Sequence, residues 1–142
     1  MWEYEHSIES GAPVGVIFAI FEEVEKWPEW NPGVERMEID GPFRSGTSGR
    51  MTMPGEAPIE TKLVWVDPAA GFEDETEIPG AGVVVRVRHT LKPLEAGTRI
   101  TYAVSITGPM ADSLGPEIGP QITADFPQVM SALCERAEAA VS

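Results

Sequence analysis

From Trp2 to Ser10 the chain alternates. Trp2, Tyr4, His6 and Ile8 fall on one side of an extended segment, and Glu3, Glu5, Ser7 and Glu9 on the other. That is the period of a half-buried strand. Gly11 ends it, and Pro13 stands where a first helical residue tolerates proline. Val14, Ile17, Phe18, Phe21 and Val24 then recur at helical spacing, with Glu22, Glu23, Glu25 and Lys26 turned to water. Pro28 is expected to stop this helix, because the residue before a proline avoids helical geometry. Six further strands are predicted over Val34–Asp40, Thr47–Met53, Ile59–Val66, Phe72–Ile78, Val83–Leu91 and Arg99–Thr107. The breaks between them (Gly41-Pro42, Pro54-Gly55, Asp67-Pro68, Pro79-Gly80 and Glu95-Ala96-Gly97) are short, which implies hairpins and an antiparallel meander.

The tail is less regular. Leu114-Gly115-Pro116 and Gly119-Pro120 read as helix breakers. Beyond them Ile122, Phe126, Val129, Met130, Leu133 and Ala137 form one apolar stripe, and Pro127 should kink that last helix or mark its start. The order of elements suggests an α+β protein, with a curved sheet wrapped around a helix and a cavity between. Length and the absence of linkers predict a single domain over residues 1–142.

The alternation also assigns faces. In Phe72–Ile78, Glu73, Glu75 and Glu77 must meet water, so Phe72, Asp74, Thr76 and Ile78 point inward. In Val83–Leu91, Arg86 and Arg88 point out, leaving Val83, Val85, Val87, His89 and Leu91 inside. In Ile59–Val66, Glu60 and Lys62 point out, which places Leu63 and Trp65 inside. Ile100, Tyr102, Val104 and Ile106 are the better inward set of the last strand. Met37, Met51, Met53 and Met130 fall on inward positions, either as core filler or as an adaptable pocket wall.

Three polar groups thus land on apolar faces: His6, Asp74 and His89. A four-residue loop over Pro79–Gly82 pairs Phe72 with His89 and Asp74 with Val87, making Asp74 and His89 diagonal neighbours. A carboxylate beside an imidazole can tune a general base near neutral pH. Buried polar groups also commonly just satisfy one another's hydrogen bonds, so both roles stand open for this pair.

Composition narrows the field of partners. A net charge of −13 repels phosphate backbones and anionic lipid, which argues against nucleic acid. No apolar run reaches the roughly 18 residues of a membrane span, and the acidic, alternating start is unlike a signal peptide. Cys134 is the only cysteine, so no internal disulfide can form, and a cytoplasmic location is expected. Two histidines and one cysteine are too few for a Cys/His zinc site. Ser45-Gly46-Thr47-Ser48-Gly49 matches neither a P-loop nor a nucleophile elbow.

The helix-to-corner segment Ala12–Pro32, the stretch from His89 through Lys92-Pro93 to Gly97-Thr98-Arg99 and on to Gly108-Pro109, and the final Leu133–Glu138 together resemble the SRPBCC superfamily. This is the helix-grip fold of START lipid-transfer domains, pollen-allergen-like proteins and bacterial polyketide cyclase/dehydrase-like proteins. The resemblance covers essentially the whole chain. It implies a seven-stranded antiparallel sheet gripping a long C-terminal helix, with a short helical segment after the first strand. It implies a cavity between sheet and helix, with small apolar or aromatic ligands admitted near the Trp27–Pro32 corner, and no metal, nucleotide or other cofactor.

On this reading the protein binds a small hydrophobic, lipid- or polyketide-like molecule. The expected lining is Trp27, Trp30, Met51, Met53, Leu63, Trp65, Phe72, Thr76, Val85, Val87, Val104, Phe126 and Met130. The alternative is a polyketide cyclase or dehydratase in which His89 acts as general base, Asp74 polarises it and Tyr102 orients a carbonyl or enolate. A third is a co-chaperone-like interaction module. On any of these readings the protein is expected to be a monomer or a homodimer. The Leu114–Pro120 segment is a candidate lid.

Overall fold

The computed structural model describes residues 1–141. Its elements are β1 (Trp2–Ser10), α1 (Val14–Glu22), a 3-10 segment (Val24–Glu29), β2 (Arg36–Ile39), β3 (Ser48–Thr52), β4 (Ile59–Asp67), β5 (Gly71–Ile78), β6 (Val83–Leu94), β7 (Gly97–Thr107), α2 (Ala111–Thr123) and α3 (Phe126–Ala140). All seven strands form one sheet in the order β1-β7-β6-β5-β4-β3-β2. Every pairing is antiparallel. From β2 to β7 the chain is a meander, and β1 closes the far edge against β7.

The α1–β2 connection departs from the expected single helix ending at Pro28. The α-helix stops at Glu22, and a 3-10 segment carries Pro28 within it. The tighter turn brings Trp27 Nε1 within 3.0 Å of the Phe21 carbonyl, to which it donates. It also drives both Trp27 and Trp30 into the core. The corner is therefore pinned by its own indoles.

The tail differs more. The two Gly-Pro steps lie inside α2 and do not break it. Asp112, Pro116 and Pro120 recur every fourth residue on the exposed side of this helix. The backbone carbonyls that the prolines leave without an N–H partner can therefore be hydrated. The glycines occupy the opposite side. A Cβ on Gly115 would lie 2.5 Å from Trp2 Cβ, and one on Gly119 only 2.6 Å from three atoms of the Trp2 indole. Trp2 is thus laid flat across α2, and the glycines are there for close approach.

Gly119→Val forces α2 off this indole and is expected to lower stability by about 1–3 kcal/mol, in the range for overpacking. The loss should shrink when Trp2 is also replaced by Ala. Thermal melting of the two single variants and the double variant checks this, and a Gly119→Val midpoint equal to wild type would contradict it.

Two apolar clusters fill the inner side of the sheet. One joins α1, the corner, α3 and the inner residues Leu63, Phe72, Leu91, Ile100 and Tyr102. The other joins Val83, Val85, Val104 and Ile106 to Ala111, with Trp2, Tyr4, Val87 and the α2 residues Leu114, Ile118 and Ile122 against them. Phe126, at the start of α3, touches both clusters.

Candidate functional site

The predicted register between β5 and β6 is the observed one. Phe72 opposes His89 and Asp74 opposes Val87. Extending these pairs across the sheet gives two inward rows. One runs Val66, Phe72, His89, Tyr102, His6, and the next runs Leu63, Asp74, Val87, Val104, Tyr4. The single carboxylate of the second row sits between Leu63 of one apolar cluster and Val87 of the other. Asp74 therefore marks the seam of the two cores.

Trp65 is a correction to the inward set. The β4–β5 register shifts between Leu63 and Trp65, and Trp65 pairs with Glu73 on the outer face. The extra residue of the bulge, Val64, turns the rest of the strand over. Val66 takes the inward position, packed against the core. Outside, the Arg88 guanidinium lies 4.1 Å above the Trp65 ring and bonds Glu73 at 3.2 Å. Trp65 therefore has no part in an internal site.

Most of the other expected lining residues are core. Trp27, Trp30, Leu63, Phe72, Thr76, Val85, Val104 and Met130 are all buried. The corner expected to admit ligands is packed with rings. Phe72 stacks on His89 at 4.0 Å and meets Phe21, Phe43 and Trp27 at 4.9, 5.1 and 5.8 Å. Phe43, in the β2–β3 loop, gave no periodic signal and was not foreseen in this cluster. Trp30 Nε1 is buried without a hydrogen-bond partner among the described residues.

Met51, Met53, Asp74, Val87 and Phe126 differ from these. Each keeps partial exposure. The main contacts of α2 are with β1, β7 and β6, and those of α3 are with β1 and α1. The helices thus lie mainly over β1, β6 and β7, and on the inner face Met51 and Asp74 keep partial exposure among the buried Leu63, Phe72 and Thr76. Thr76 and Thr61 belong to the same face, with Thr76 Oγ1 donating to Thr61 Oγ1 at 3.1 Å.

Electrostatics separates the three expected catalytic groups. His89 does not turn to Asp74. Its Nδ1 lies 3.3 Å from the Phe72 carbonyl, and the ring is enclosed by Phe72, Phe21 and Tyr102. Burial pushes its pKa down to about 3, outweighing the Phe72 carbonyl, so the imidazole is neutral at physiological pH. Tyr102 is held well above the ordinary phenol value by burial and then by the facing Asp74. Asp74 moves toward neutrality. Burial and the neighbouring Glu73 raise it to about 7, against a backbone bond from Val87 that lowers it. The group that titrates near neutral pH is thus the carboxyl and not the imidazole.

Two hollows lie elsewhere on the surface. One of about 580 Å³ runs over the outer face between Glu3, Glu5, Ala103, Ser105, Arg86 and Arg88. A second, of about 440 Å³, lies beside β2 and the 3-10 segment. Among the described residues no three His, Cys, Asp or Glu side chains converge as metal ligands, and no helix is long and apolar enough to cross a membrane.

Sheet, corner and terminal helix together define a helix-grip protein. A sequence profile described as polyketide cyclase/dehydrase and lipid transport matches residues 1–138, and the chain belongs to that family. No curated protein matches the sequence.

Solved structures give the same fold. Ara h 8.0201 superposes with a TM-score of 0.76 at 17% identity, covering 96% of this chain and 97% of that one. A point mutant of norcoclaurine synthase from Thalictrum, in complex with a transition-state analogue, gives 0.76 at 20% identity, covering 99% and 96%. The di-domain aromatase/cyclase StfQ of the steffimycin biosynthetic pathway gives 0.77 at 15% identity, covering 98% of this chain and 51% of that one. At such identities the likeness carries the fold alone.

Proposed function

We propose that this protein binds a small, largely apolar or aromatic molecule on the inner face of β3 to β6, in a trough floored by the partly exposed Met51, Val87 and Asp74. The observation that carries this reading is the placement of Asp74. It is a carboxyl on an inward apolar row, half-exposed, with no ion pair among the described residues. An unpaired carboxyl at the seam of a core costs stability. A ligand that fills the trough and bonds to it offsets that cost, and apolar sites with a few placed polar groups are the usual form of small-molecule pockets. The family description and the fold support the same reading.

A second reading, acid–base catalysis of the cyclase type, is favoured by one feature: the Asp74 pKa near 7, which suits proton transfer at working pH. In this version Asp74 is the acid–base group and Tyr102 orients the substrate, while neutral, ring-enclosed His89 is structural. The interaction-module reading lacks support. Exposed large apolar side chains among the described residues are Met1, Met110 and Val141, too few for a broad docking patch.

Calorimetric titration with 2-naphthol tests the binding reading. Wild type is expected to bind, and Val87→Trp, which fills the trough, should weaken binding at least about tenfold, or 1.4 kcal/mol. Circular dichroism should show the variant folded. Equal affinity of the two proteins would place the ligand elsewhere.

A further inference from the structure

The charges of this molecule are sorted by face. Its ten basic side chains are Lys26, Arg36, Arg44, Arg50, Lys62, Arg86, Arg88, Lys92, Arg99 and Arg136. Lys26, Arg36, Arg44, Lys62, Arg88, Lys92 and Arg99 are exposed. The three half-buried ones are tied down elsewhere. Arg50 bonds Asp40 through both guanidinium nitrogens at 2.9 and 3.1 Å. Arg86 bonds Glu75 and Thr107, both at 2.9 Å, on the outer face. Arg136 reaches Glu29 at 2.8 Å. No Lys or Arg stands on the inner rows, where Asp74 is the one carboxyl and the other polar side chains are the Thr61 and Thr76 hydroxyls, the Tyr4 and Tyr102 phenols, the neutral His89 imidazole and, at the β1 edge opposite Tyr102, His6.

Building on the binding site proposed above, we infer that the trough selects its ligand by charge. It takes an aromatic molecule carrying a protonated amine, accepts a neutral phenol less tightly, and excludes carboxylates such as fatty acids or aromatic acids. The physical reason is local. A ligand carboxylate placed over Val87 would meet Asp74 with no Arg or Lys to compensate, and like charges in a weakly screened site disfavour each other strongly. An ammonium in the same position gains a charge-assisted hydrogen bond to an acceptor that has no cation of its own. The neutral hydroxyls and imidazole around it can serve either a phenol or an amine. The net charge of −13 acts in the same direction at long range, but salt screens that contribution.

Three naphthalenes of one shape provide the test: 2-naphthol, 2-(aminomethyl)naphthalene and 2-naphthoate, titrated calorimetrically at pH 8 in 0.3 M salt. The amine is expected to bind about tenfold or more tighter than the naphthoate, with the naphthol between them. Asp74→Asn should bring the three affinities together. Naphthoate binding as tightly as the amine while naphthol still binds would overturn charge selection and leave the binding site intact. Discrimination that persists in Asp74→Asn would also overturn it, because the selecting charge would then lie elsewhere. Failure of all three compounds to bind would instead remove the binding reading beneath it.

Discussion

Asp74→Asn is expected to make the protein more stable at pH 8. The Asp74 carboxyl has a folded pKa raised to about 7, above its unfolded value near 4. Such an acid takes up a proton on folding between those values, so stability falls as pH rises through the window and stays low above it. The groups facing it do not reverse the sign. His89 remains neutral throughout, the Tyr102 hydroxyl stays protonated, and Glu73 adds a like charge. Only the Val87 backbone N–H favours the carboxylate, and an asparagine oxygen can accept from it too.

The whole window corresponds to about 4 kcal/mol at most. Asp74 as a residue keeps partial exposure, which lowers the expected gain at pH 8 to about 1–3 kcal/mol. The gain should shrink toward zero as pH approaches 4. Urea melts of both proteins at pH 8 and pH 4.5 check it, and a variant no more stable than wild type at pH 8 would mean that Asp74 is well solvated. A residue that weakens its own fold is of the kind kept for what it binds.

Phe72→Ala should have the opposite effect and a larger one. Phe72 is 1% exposed and packs against Phe21, Trp27, Phe43 and His89. Removing it deletes the shared centre of this ring cluster and leaves a cavity that rigid aromatic neighbours close poorly, so about 3–5 kcal/mol is expected to be lost. Phe72→Leu, which keeps most of the volume, should cost markedly less. Denaturant titration of the two variants distinguishes these outcomes, and equal costs would show that the ring packing contributes nothing beyond bulk.

The strands were largely legible because alternation and turn residues agreed. Glu73, Glu75 and Glu77 fixed one face of β5, Arg86 and Arg88 fixed one face of β6, and the Pro79–Gly82 loop set the register between them. Their inward partners, Asp74 and His89, followed directly. The helix-grip expectation from the Ala12–Pro32 and late-hairpin segments was met by the observed topology.

The misses have physical causes. Trp65 was assigned inward because alternation assumes an unbroken strand, and a bulge at Val64 leaves no compositional mark. Gly115-Pro116 and Gly119-Pro120 resembled breakers because local propensity does not see Trp2 lying more than a hundred residues upstream in sequence and directly beneath the helix. The pairing of Asp74 with His89 rested on distance alone, whereas the Phe72 carbonyl is the partner the imidazole meets. The expected entrance near the corner depended on side-chain volumes that pattern does not give, and Phe43 packs there from a loop against Phe18 and Phe72.

Intermolecular NOEs between bound 2-(aminomethyl)naphthalene and methyl-labelled protein test the central claim most directly. Cross-peaks from the naphthalene ring to Met51 Cε and the Val87 methyls would place the ligand over Asp74, as expected here. Cross-peaks to the Ala103 methyl on the outer face, where Glu3 and Glu5 line the larger groove, would contradict the account and move the site to the other side of the sheet.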